Sequence, residues 1–147
     1  MTARHFPLQT LLDLSQIKLD EATRRLGELI NGEQQAANRL TMLVEYREEY
    51  QVRFLDAARN GLTQDQWRNY QGFLGKLEDA IGQARALVAQ SRAETTAGQR
   101  EWMDKRGQVK TYDTLSERHA TRLRYADEKL EQKAQDEHAA RGRQQDD

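Results

Sequence analysis

The stretch Asn60-Gly61-Leu62-Thr63-Gln64-Asp65-Gln66 decides the fold of this chain. Gly61 can take the left-handed backbone that ends a helix, with Asn60 as the second candidate for that place. Thr63 can cap a new helix through its hydroxyl, and Gln66 can reach back to the Thr63 amide to close a capping box. Leu62 and Trp67 occupy the two positions of a hydrophobic staple, which sets the angle of entry into the new helix. A helix stop followed at once by a helix start predicts a chain folded into a hairpin.

Both flanks of the break carry apolar residues at heptad spacing. With Leu19 at position a, the first arm reads Leu12, Leu19, Leu26, Glu33, Leu40, Arg47 and Phe54 at a, and Leu8, Ser15, Ala22, Leu29, Ala36, Leu43, Tyr50 and Ala57 at d. That is about seven heptads, well past the three or four that argue for a coiled coil. Asn31-Gly32 is a rival turn signal, but the phase runs through it from Leu29 to Ala36. In the second arm Trp67, Leu74, Ile81, Val88, Trp102, Val109, Leu123 and Leu130 fall at a, with Tyr70, Leu77, Ala84, Tyr112 and Ala126 among the d residues. Phe73, Ala80 and Leu87 widen the apolar face on the g side.

In an antiparallel pair, a positions of one helix layer with d positions of the other, so facing residues here have numbers summing to roughly 124. This register sets Phe54 against Tyr70, Leu43 against Ile81, Ala22 against Trp102 and Ser15 against Val109. A tryptophan beside an alanine is the large-with-small pairing that close packing requires. The expected architecture is all-α: a long antiparallel two-helix coiled-coil hairpin with a projecting C-terminal helix. It reads as a single domain over 1–147, with helix 1 at about 7–59, the turn at about 60–62 and helix 2 at about 63–140. The tail Arg141-Gly142-Arg143-Gln144-Gln145-Asp146-Asp147 is expected to fray. The first arm runs out near Leu8, so residues beyond about 116 are expected to lack an intrachain partner.

Composition agrees with this and excludes several function classes. Charged residues make up 32% and hydrophobic ones 37%, the latter below the globular share of about 45–50%. The single proline, Pro7, sits at the start, and there is no cysteine, so neither a disulfide framework nor a thiolate metal site is available. No apolar run approaches the roughly 20 residues that span a bilayer. The N-terminal residues lack the apolar core of a secretory signal, which points to the cytoplasm. A net charge of -1 argues against a dedicated nucleic-acid binder.

Catalytic, cofactor and metal motifs are missing. His5, His119 and His138 are scattered, without the i, i+4 partner of a helical metal site. Gly72, Gly75 and Gly82 form no phosphate loop; each costs about 1 kcal/mol relative to alanine inside a helix, whether it marks close approach, softness or tolerance. A rod encloses no site from which water is excluded. The chain is not expected to be an enzyme.

Six aromatic residues, Tyr46, Tyr50, Phe54, Trp67, Tyr70 and Phe73, crowd the part of the hairpin near the turn. Tyr50, Phe54, Trp67 and Tyr70 fall on the seam, where they are expected as core. Tyr46 and Phe73 fall at g, where an aromatic ring either packs under its neighbours or serves as a docking anchor.

Three stretches carry a resemblance: Met42-Leu-Val-Glu-Tyr-Arg-Glu-Glu-Tyr50, Trp67-Arg-Asn-Tyr-Gln-Gly-Phe-Leu-Gly-Lys-Leu-Glu-Asp-Ala-Ile81, and the looser Trp102-Met-Asp-Lys-Arg106 followed by Tyr112-Asp-Thr-Leu-Ser-Glu-Arg118. Together they resemble the FliJ family of the flagellar type III export apparatus, over about Leu8 to Leu130. The resemblance implies a rod similar to the central stalk of rotary ATPases, peripheral to the inner membrane at the flagellar base. Its implied partners are the export ATPase ring, entered by the paired helix termini, the large membrane component of the export gate, and export chaperones. The positions matching the family's gate-contact surface are Leu43, Tyr46, Tyr50, Phe73, Leu77 and Ala80. Arg39 stands where a glutamine is usual and Ala84 where a histidine is, so details of that contact differ. The alternatives are a generic coiled-coil scaffold or the stalk of a related virulence-type secretion system.

Overall fold

A computed structural model describes residues 4–146. Helix α1 runs over Gln9–Arg59 and α2 over Gln64–Asp146. The two pack against each other as an antiparallel hairpin, and no strand occurs among the described residues. Two compact units divide the pair: Ala22–Trp102 forms one, and Met1–Glu21 with Met103–Asp147 forms the other.

The turn has the chemistry its residues imply. Gly61 sits at φ 92°, a backbone that L side chains resist. Its amide donates to the carbonyl of Ala58 at 3.2 Å, which ends α1. The Gln66 amide donates to Thr63 Oγ1 at 3.2 Å, and the Thr63 amide donates to Gln66 Oε1 at 3.1 Å. This reciprocal box satisfies two amides that the first turn of α2 would otherwise leave bare. Thr63→Ala removes the acceptor and is expected to lower stability by about 1 kcal/mol; a urea titration measures it, and an unchanged midpoint would show the cap to be dispensable.

The heptad phase is written directly into the burial pattern. Every a and d position from Leu12 to Ala57, and from Tyr70 to Ala126, is buried or half-buried. Trp67, expected as core at the turn end of the seam, is instead 47% exposed, because the helix pair ends there and none of the described residues covers its outer side. α1 passes through Asn31 and Gly32 without a break, because the seam residues on either side, Leu29, Glu33 and Ala36, keep their packing.

Within Ala22–Trp102 the contacts fall on the expected register. The Phe54 and Tyr70 rings lie 5.5 Å apart, and the Thr95 hydroxyl reaches the Leu29 carbonyl at 3.3 Å as well as its own helix at Ser91, 3.0 Å. Ala22 is buried, and beside it the indole nitrogen of Trp102 donates to Thr23 Oγ1 at 2.9 Å. Polar seam positions find partners across the pair: Arg92 meets Glu33 at 3.7 Å, and Arg47 bonds Glu78 at 3.3 Å. Gly98 is needed for close approach, since a Cβ there would meet Leu29 Cδ1 at 2.6 Å. Gly72, Gly75 and Gly82 face open space, so close approach does not explain them.

In the other unit, Ser15 and Val109 are buried as the register requires, and the Ser15 hydroxyl satisfies itself on the Leu12 carbonyl at 2.7 Å. Two expectations are corrected here. First, α2 beyond residue 116 does have an intrachain partner. α1 begins only at Gln9, and residues 4–8 form a non-helical strap along α2. Phe6 packs its ring 5.8 Å from that of His119, and Arg4 makes a two-point bond to Asp127 at 2.9 and 3.1 Å. The reason is reach: a non-helical chain advances up to about 3.3–3.6 Å per residue, more than twice the 1.5 Å of a helix. Four residues before Leu8 therefore cover a stretch of α2 that four helical residues could not. Second, α2 continues to Asp146 rather than ending near 140; Ala, Glu, Gln, Lys and Arg are good helix formers, and one Gly142 does not outweigh them. Past Ala126 every position through Gln145 is exposed.

Candidate partner-binding face

The six aromatic side chains near the turn form one connected ladder inside Ala22–Trp102. Phe54 lies 5.1 Å from Trp67 and 5.5 Å from Tyr70; Tyr50 lies 5.4 Å from Tyr70 and 4.6 Å from Phe73. Tyr46 closes it, 6.1 Å from Phe73 at an interplanar angle of 88°. All these separations are within the range where ring quadrupoles attract, at about 0.5–1.5 kcal/mol per pair beyond burial. The ladder arises because the seam and its g edge carry rings on both helices at matching heights.

The ladder is graded from inside to outside. Leu77 is buried, while Leu43, Tyr50 and Ala80 are half-buried. Burial, then the neighbouring phenols of Tyr70 and Tyr46, push the Tyr50 hydroxyl above its ordinary value. Tyr46 keeps 42% of its surface exposed and Phe73 36%. Their edge-to-face contact holds both rings in place while leaving a face of each in water. Of the six residues expected at a gate contact, these two are therefore the ones that present apolar surface. Leu77, one turn after Phe73, is buried, and Arg39 is exposed while Ala84 is buried.

Met42 stands one helical turn before Tyr46 and is 62% exposed, a flexible, polarizable side chain that the heptad pattern does not single out. Its signal in the sequence is its i, i+4 spacing from Tyr46 outside the a/d pattern. Arg47 and Glu78, bonded across the helices, supply charge next to this patch.

No group of three or more His, Cys, Asp or Glu side chains suited to a metal occurs among the described residues. No helix among them is long and apolar enough to cross a membrane.

A family model described as the flagellar FliJ protein matches residues 4–146. The chain is similar to the flagellar FliJ protein of Escherichia coli (strain K12), 37% identical over 139 residues, and to that of Salmonella typhi, 35% identical over 139 residues; in both cases 95% of each chain is covered. A match of this extent, over residues 4–146 and 95% of each relative, is what common descent leaves, and this chain belongs to the flagellar FliJ protein family.

Proposed function

We propose that this protein is a non-enzymatic connector in flagellar type III protein export, linking the export ATPase ring to the export gate and handling export chaperones. Family membership supports a flagellar role, and the observation that carries the gate contact is the half-exposed Tyr46–Phe73 pair. Aromatic rings held rigidly and left partly in water are the usual anchors of protein interfaces, because they bury much area with little loss of side-chain freedom. The gate's large membrane component takes this face, with Leu43, Tyr50, Leu77 and Ala80 as its floor. The terminal part of the hairpin engages the ATPase ring. The protein acts on the cytoplasmic side, reaching the membrane only through the gate.

The test is the double variant Tyr46→Ala/Phe73→Ala. Binding to the soluble part of the gate component is expected to weaken by about 3 kcal/mol, more than a hundredfold, as loss of two anchors would, with the circular dichroism spectrum near that of the parent. Collapse of helicity would make both rings core residues instead. A pull-down with purified export ATPase separates the connector from a generic scaffold, which would not be retained.

A further inference from the structure

We propose that residues 4–8 are a displaceable strap, latched by the Arg4–Asp127 ion pair, that covers an apolar stripe of α2 and is loosened by ionic screening. The stripe is the continuation of the seam: Leu115, His119, Leu123 and Ala126 are half-buried, and Leu130, the next seam residue, is 66% exposed. Closed, the strap lays Phe6 against His119 and holds its far end by two Arg4–Asp127 bonds at 2.9 and 3.1 Å.

Three features make the closed state weakly held. The latch stands in solvent, with the Arg4 and Asp127 side chains 75% and 50% exposed; an ion pair so placed adds little and is screened by salt. The imidazole Nε2 of His119 is buried without a hydrogen-bond partner, a desolvation penalty that opening relieves by admitting water. The strap also leaves a recess of about 320 Å³ between Phe6, Leu8, Leu115, His119, Arg118 and Arg122, so its contact with α2 is incomplete and forfeits dispersion attraction. Phe6 and Leu8, both half-buried, supply the opposing apolar gain. Because the strap precedes α1 and shares only its first-turn bonds, Gln9 amide to Phe6 carbonyl and Leu12 amide to Leu8 carbonyl at 3.0 Å, it can leave without unpairing the helices. Opening uncovers a heptad-spaced stripe that closure keeps from other helices.

The His119 ring protons report the strap, since the Phe6 ring current shifts them only when it is closed. In the full chain at one fixed pH and low salt, Phe6→Ala sets the open reference. The wild-type His119 signal is expected to differ clearly from that reference. Arg4→Ala, Asp127→Asn and about 1 M salt, where the screening length falls to roughly 3 Å, should each carry it part of the way there, by similar amounts. The exposed His138 signal and the helical circular dichroism should stay put in all of them. A wild-type signal already at the reference would overturn closure. A His119 signal unmoved by salt and by both latch variants would overturn the latch.

Discussion

Ile81→Ala is expected to lower the unfolding free energy by about 2–5 kcal/mol, the range for a buried large-to-alanine change that leaves a hole. Ile81 is 1% exposed and is the largest fully buried side chain among the described residues. Removing its outer carbons forfeits the bulk of a transfer gain of about 1.5–3 kcal/mol. The hole adds to that, because Leu77, Ala84 and Val88, a turn or two away on the same face, are themselves buried and have no slack to close it. A two-helix seam has little other core over which to spread the loss. Urea titration followed at a helical wavelength measures it, with Ile81→Val as the conservative companion at about 0.5–1.5 kcal/mol. A loss below 1 kcal/mol for the alanine variant, on the order of the valine change, would mean the layer is not closely packed.

The opposite sign is expected at three glycines. Gly72, Gly75 and Gly82 lie inside α2, and a Cβ built at any of them meets nothing within 4 Å. With no clash to offset it, alanine gains the propensity difference of about 0.8–1 kcal/mol at each site, by restricting the unfolded chain. The three sites share no contact partner, so the triple variant should gain about 2–3 kcal/mol in sum. Gly98 is the internal comparison. Alanine there must push Leu29 Cδ1 from 2.6 Å, so it should gain less than any one of the three. If the triple variant were no more stable than the parent, intrinsic helix propensity would not limit this helix. If it were stabilised but bound the gate component less well, local softness beside Phe73 would be part of docking.

Much of this molecule is legible in its sequence. The cap residues Gly61, Thr63 and Gln66 act on atoms within four positions of themselves, so their roles follow from spacing. The seam follows from a repeat that no other regular structure shares, and the register from that repeat plus a short turn. The Thr95–Leu29 and Phe54–Tyr70 contacts fall on it. The candidate face was legible only in part. The g positions of Tyr46 and Phe73 put them at the edge of the seam, but heptad phase does not say how deep a ring sinks at an edge.

The sequence by itself determined two helices, the place and chemistry of the break, and which residues face each other, because each depends on periodicity or on near neighbours along the chain. Only the tertiary structure decided that Tyr46 and Phe73 hold each other half-exposed, that Leu77 is buried, and that Gly98 alone of these helical glycines meets a neighbouring side chain within the described residues. It alone also revealed the strap from Arg4 to Asp127. Residues 4–8 have no period to read, and their place is set by how far an irregular chain reaches and what it meets 123 positions away. Contacts between residues so far apart, made outside any repeat, are settled by packing in three dimensions.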